Sequence, residues 1–319
     1  MRFPLIAFLT VLSLISSAQT KIEFREPIDS NSVIILTDEI EITAVEPGYQ
    51  LWLPEGEEPI IGMIVFTRPR GENEPIDFFV NYATEHQLAV LYANTENRLE
   101  FFFQDSSMTK ILGYIDKVCR DYSIPTDKLM YCGMSLEGTR ALKLVEYASR
   151  ETSEVQIRPQ AVAICDAPLD MVRFYREATT ARDRKIRDVA AKEGKWVSAH
   201  LEKYLGDPIE DRQNYIDYSP YCFAAYGGTH LKCYVDVALR AYTEPDVLWW
   251  METRGKDYYG MNAIDMAGIV SELRYLGNER AELILTQDKG YYPDGTRHPH
   301  SWSIVDEREL IDWFLYLSD

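Results

Sequence analysis

Apolar runs of strand length alternate with longer segments of helical spacing through most of the chain. Tyr49–Leu53 and Ile60–Phe66 (IIGMIVF) predict two strands, parted by the turn Pro54-Glu55-Gly56. Pro75–His86 reads as a helix and Leu88–Ala93 (LAVLYA) as the next strand. Ser107–Tyr122 puts Ile111, Leu112, Ile115, Val118 and Cys119 on one helical stripe. The short apolar run Leu129–Cys132 follows, then a helix with Ala141, Leu144, Val145 and Ala148 at i, i+3, i+4 and i+7. Ala161–Cys165 (AVAIC) is again strand-like. After a long interruption come strands at Leu231–Ala241 and Glu282–Thr286, and the chain closes on the helix Asp306–Leu317.

Such alternation predicts an α/β fold: a mostly parallel, doubly wound sheet with helices on both faces. The interruption lies between Asp170 and Ala225. It is rich in Arg, Lys, Glu and Tyr, keeps helical spacing and lacks a convincing strand. We read residues 170–225 as a helical insertion lying over one end of the sheet as a lid.

The first residues, MRFPLIAFLTVLSLISSAQT, add an address to this picture. Arg2, the apolar stretch Phe3–Ile15 and the small residues Ser16-Ser17-Ala18 have the layout of a secretory signal peptide. The expectation is a signal peptide over 1–18 and one domain over 19–319, exported to a secreted or periplasmic location without stable membrane insertion. The net charge of −18 disfavours nucleic acid as a partner, because phosphates call for Lys and Arg clusters. Five cysteines leave an odd count with no Cys-x-x-Cys pair. Cys132 and Cys165 sit in apolar runs and read as small buried hydrophobes. Export would permit a Cys222–Cys233 disulfide.

Candidate chemistry centres on KLMYCGMSLEGTRAL, Lys128–Leu142. Gly-x-Ser recurs by chance about once in a chain of this length, so position carries the signal. Gly133-Met134-Ser135 follows a buried strand and opens a helix, the context of a nucleophile elbow. A tight strand-to-helix turn lifts a serine hydroxyl above the sheet edge, where free helix N–H groups face an oxygen gaining negative charge. On these residues the chain resembles the α/β-hydrolase superfamily. The family motif is Gly-x-Ser-x-Gly; Gly133 and Ser135 match it, but Glu137 stands two places after the serine and Gly138 one place late.

The resemblance implies an acid and then a histidine further along the chain. It places the acid after the strand that follows the insertion, where Thr243-Glu244-Pro245-Asp246-Val247 offers Asp246, with Glu244 as rival. It places the histidine in the last loop, where RHPHSW offers His300, with His298 as rival. His300-Ser301-Trp302 resembles the family's His–small–aromatic pattern. For the oxyanion hole it implies the backbone N–H of Leu136 and a donor from Thr67-Arg68-Pro69-Arg70-Gly71. Pro69 has no N–H, which leaves Arg68, or a tyrosine hydroxyl as in some relatives. The Arg/Lys-rich run Arg173–Lys195 reads as a solvated helical face. Trp249-Trp250 and Tyr258-Tyr259 either pack a helix or line a cleft. No metal-ligand spacing and no cofactor-binding loop is present in the sequence. The expected function is a serine hydrolase acting on a carboxylic ester through an acyl-enzyme. A peptidase for small peptides and a non-catalytic binding protein are the alternatives. The implied partner is a small-molecule or peptide substrate.

Overall fold

A computed structural model describes residues 19–29, 31–37, 40–70, 78–225 and 229–317. The signal-peptide segment therefore lies outside the described residues, as does Gly71. Ten strands form among the described residues: β1 (Thr20–Arg25), β2 (Val33–Thr37), β3 (Ile40–Thr43), β4 (Gly48–Leu53), β5 (Gly62–Phe66), β6 (Leu88–Asn94), β7 (Leu129–Met134), β8 (Ala161–Cys165), β9 (Ala238–Thr243) and β10 (Ala281–Leu285). Eight of them make one sheet in the order β1-β4-β6-β5-β7-β8-β9-β10. β4 is antiparallel to both β1 and β6, and the pairs from β6 through β10 are parallel.

Strands buried on both faces need apolar side chains at successive positions, not alternate ones. GMIVF of β5 and AVAIC of β8 meet that demand and are buried throughout. One face of the sheet packs on α1 (Phe78–Glu85) and α9 (Glu307–Tyr316), through Phe79, Val80, Leu310 and Phe314. The other face packs on α2 (Asp105–Asp121), α3 (Leu136–Ala148) and α8 (Ala263–Tyr275), through Ile111, Leu144 and Ile269. Chain direction across the sheet reverses between β5 and β7. In open parallel sheets the crevice at the carboxyl ends of such strands is where ligands settle.

Between β8 and β9 the chain forms α4 (Met171–Arg184), α5 (Asp188–Leu205) and α6 (Arg212–Tyr218). These helices share a small core of their own, with Met171, Ala178, Val197, Leu201 and Tyr215 around Phe101. α7 (Val247–Arg254) follows β9. The expected strand at Leu231–Ala241 is corrected. Thr229–Tyr234 is a 3₁₀ turn, and the strand begins only at Ala238 and runs two residues past the expected end, to Thr243. Asn278 Nδ2 donates to the Tyr234 and Val237 carbonyls, fixing them outside the ladder.

The amino-terminal strands were not anticipated. β2 and β3 form a separate antiparallel hairpin whose residues are mostly exposed or half-buried, so its apolar pattern is faint. It leans on α5, where Lys203 Nζ donates to the Ile35 carbonyl at 2.7 Å. Cys222 and Cys233 are both free, so the disulfide that export would permit is not formed. Among the described residues no helix is long and apolar enough to cross a membrane.

Candidate active site

Ser135 sits in the one-residue turn between β7 and α3 with φ 54° and ψ −127°. A non-glycine residue held there costs on the order of 1–3 kcal/mol and persists only when its surroundings fix it. They do. Ser135 N–H donates to the Cys165 carbonyl at 2.8 Å, tying the turn to the end of β8, where Met134 pairs with Cys165. A Cβ on Gly133 would stand 2.3 Å from the Glu137 carbonyl carbon, and one on Gly138 would stand 2.7 Å from Ala167 Cβ. Both positions admit only glycine without a shift. Gly138, one place later than in the family motif, is where α3 presses on the segment after β8.

Glu137 fits because its side chain turns to a cavity rather than to the sheet. Its Oε2 is 3.9 Å from Arg68 Nε, and 23% of the side chain stays exposed. Protein packed around it raises its pKa, against the pull of Arg140 and Arg68. The hydroxyl of Ser135 does not cap the helix behind it.

Asp166 directly follows β8, and its Oδ2 is 2.6 Å from His300 Nδ1. Thr243 Oγ1 donates to its other oxygen at 3.0 Å. Its own backbone is held by the bond from its N–H to the Tyr242 carbonyl and by Asn262 Nδ2 donating to its carbonyl. With Nδ1–H committed to Asp166, His300 presents Nε2 as its lone-pair nitrogen. Ser135 and His300 line one cavity, together with Phe174, Trp250 and Asn262. Ser135 also lines a second cavity of about 390 Å³, walled by Phe66, Tyr92, Trp302, Arg68 and Glu137. The serine thus stands where two cavities meet.

No family model matches the sequence, and no curated protein matches it. Solved structures do. An acylaminoacyl peptidase from Pyrococcus horikoshii superposes with TM-score 0.52 at 14% identity, over 94% of this chain and 41% of its own. A bifunctional GH43-CE protein from Bacteroides eggerthii gives 0.52 at 15% identity, over 85% and 36%. One of two fungal esterases from Rhizomucor miehei gives 0.51 at 12% identity, over 93% and 83%. The chain spans about two fifths of the peptidase's length. This chain has the α/β-hydrolase fold.

Within the α/β-hydrolase frame, the residues expected from sequence fall into two groups. Ser135 and His300 come together at the same cavity. Leu136 and Arg68 line the cavity on the other side of Ser135, with Leu136 N–H in the first turn of α3, where helix N–H groups lack intrahelical partners. Asp246 does not meet His300. Its carboxylate caps α7 by accepting from Trp249 N–H at 3.1 Å, and its Oδ2 lies 3.1 Å from Arg297 Nη2. Glu244, the rival, pairs with Arg297 and accepts from Thr286 Oγ1 and Lys289 N–H. The carboxylate at the imidazole is Asp166, one strand earlier. The missed signal is AVAICD: a buried parallel strand that ends on a carboxylate at the sheet's carboxyl edge. His298 is displaced as well. Its Nδ1 bonds the His300 carbonyl at 2.8 Å and its Nε2 lies 3.2 Å from Arg254 Nη2, so it steadies the loop that carries His300.

Proposed function

We propose that the protein is an exported serine hydrolase that cleaves a carboxylic ester through an acyl-enzyme intermediate. The observation that carries this reading is Ser135 on its strained turn, lining one cavity with an imidazole whose Nδ1 is held by Asp166. Ser135 Oγ attacks the carbonyl carbon as His300 Nε2 takes its proton. Asp166 keeps the imidazole in the required tautomer and stabilises the cation that forms. Leu136 N–H and a donor from the Arg68 segment face the oxygen as it becomes an oxyanion. His300 then returns its proton to the leaving alcohol. Water, deprotonated by the same imidazole, releases the acid and restores Ser135. Esters are favoured over peptides because ester cleavage asks for no extended peptide groove beyond the two small cavities at Ser135. The helices between β8 and β9 supply Phe174 to the cavity wall, which supports a covering role for the insertion.

Ser135→Ala is expected to abolish covalent labelling by a fluorophosphonate probe. It should lower kcat for a short p-nitrophenyl ester by about 10⁴–10⁶, with the circular dichroism spectrum unchanged. Labelling of the variant equal to that of the parent would end the assignment. Faster turnover of small peptide amides than of esters would move it to a peptidase, and inertness to both would leave a binding protein. Export is checked separately, by the amino-terminal sequence of the mature protein, expected to begin near Gln19.

A further inference from the structure

The Arg-rich run Arg173–Lys195 is not simply a solvated face. α4 turns Arg173, Arg176 and Arg184 to one side, and they wall a cavity of about 380 Å³ together with Arg187, Arg254 and Lys256. Only two carboxylates, Glu177 and Asp257, line it. Such an excess of positive charge is unexpected in a chain whose net charge is −18. Part of it is already spent: Arg173 pairs with Asp265 at 2.6 Å, and Lys256 with Glu177 at 2.8 Å. The rest is not. Arg176, Arg184 and Arg187 have no carboxylate within salt-bridge distance among the described residues. Arg173 Nη1 is buried with no hydrogen-bond partner. A buried guanidinium N–H without an acceptor is costly unless a ligand supplies one.

This cavity adjoins the one that Ser135 and His300 line. Glu177, Arg254, Lys256 and Gly260 belong to both walls. The two cavities thus lie side by side, with these four residues between the serine and the arginines. Guanidinium groups recognise planar oxyanions through paired N–H donors, and they are less strongly hydrated than ammonium groups. We infer that the substrate is an anionic ester, one whose acyl or alcohol part carries a carboxylate that the arginines of α4 and of the α4–α5 turn bind. The inference rests on the serine-hydrolase reading for the ester, but the anion site stands on its own residues. The overall negative field excludes large polyanions while the local patch accepts a single small one.

Two pairs of probes test this. Mono-4-nitrophenyl adipate against its methyl ester puts the carboxylate on the acyl side. 4-Acetoxybenzoate against its methyl ester puts it on the leaving side. At least one acid is expected to show kcat/KM about tenfold or more above its neutral partner, an advantage that shrinks as salt is added. The triple variant R176Q/R184Q/R187Q alters exposed residues away from the reacting atoms. It should erase that advantage and leave neutral-ester hydrolysis within about twofold of the parent. Calorimetry of adipate binding to Ser135→Ala reads the cavity without chemistry, and the same triple change should weaken it about tenfold. Neutral esters cleaved at Ser135 with no preference for either acid would overturn the anion site and leave the hydrolase standing. An acid preference or adipate affinity that survives the triple change would overturn it too. Adipate binding lost with the arginines in a protein inert to every ester would uphold the anion site while the hydrolase reading fell.

Discussion

Two aspartates stand just past the carboxyl ends of adjacent parallel strands, and they do different work. Asp166 follows β8 and gives one oxygen to His300 and the other to Thr243. Asp246 follows β9 and gives one oxygen to a helix N-terminus and the other to Arg297. Both are acids at a sheet edge, so residue type and strand-end position do not separate them. Their partners do. α7 begins at the residue after Asp246, which commits that carboxylate to capping. No helix starts at Asp166; the next begins at Met171 and is capped by Asp170. Asp166 is left to face the imidazole. A strand-end carboxylate is available for chemistry when no helix claims it first.

Exchanging each aspartate for asparagine breaks the comparison most sharply. Asp166→Asn is expected to lower kcat by about 10⁴, as loss of the orienting acid does in serine hydrolases, with little change in KM. Asp246→Asn should leave kcat within about threefold, since asparagine also caps helices well. Steady-state kinetics on one ester decides between them, and similar losses in the two variants would restore Asp246 to the site. The next effect in size belongs to Arg297. Its removal as Arg297→Ala leaves Glu244, whose side chain is 2% exposed, without its cation. Breaking a buried pair costs about 3–5 kcal/mol. Thr286 and Lys289 still donate to Glu244, so urea titration should show a loss of about 2–3 kcal/mol. Asp246→Ala, which removes only the cap and the weaker end of this network, should cost about 1 kcal/mol by the same measurement.

The smallest effect concerns a third carboxylate, Glu137 in the elbow. Its pKa is raised mainly by burial, so the folded protein binds that proton more tightly than the unfolded chain does. Ionising it therefore costs stability. The cost is absent in acid, below the ordinary glutamate pKa, and it grows as the pH rises through the raised one. Glu137→Gln should match the parent below the ordinary glutamate pKa and be the more stable of the two near pH ~8, as read by urea titration at each pH. Equal urea midpoints at both pH values would mean that Arg68 and Arg140 fully offset the burial.

Much of this was legible in the chain because burial imposes simple patterns. Fully covered parallel strands demand unbroken apolar runs, and β5 to β8 supply them. The elbow was legible because Gly133-Met134-Ser135 stands between a buried apolar run and a helix, whereas the close contact that explains the displaced Gly138 is visible only in the fold. His300 was legible from its place before the last helix. The acid was not, because the resemblance assigns it to the later strand and the two strand ends look alike until their hydrogen bonds are known. The hairpin of β2 and β3 escaped because half-exposed strands alternate weakly, and Leu231–Ala241 misled because an apolar 3₁₀ turn and a strand share a composition. The arginines of α4 read as solvent-facing because sequence spacing shows which residues share a face, not what faces them.

Ser135 and Asp166 are more closely bound together than their separation in sequence suggests. The amide of Ser135 hangs on the carbonyl of Cys165, the residue just before the aspartate, and both residues adopt positive φ, 54° and 45°. Hydroxyl and carboxylate therefore ride on one rigid seam of the sheet, while the imidazole arrives on the loop after β10. Whether the imidazole meets the other two groups therefore depends on that loop, which is held by the His298 bond to the His300 carbonyl and by the His300 bond to Asp166.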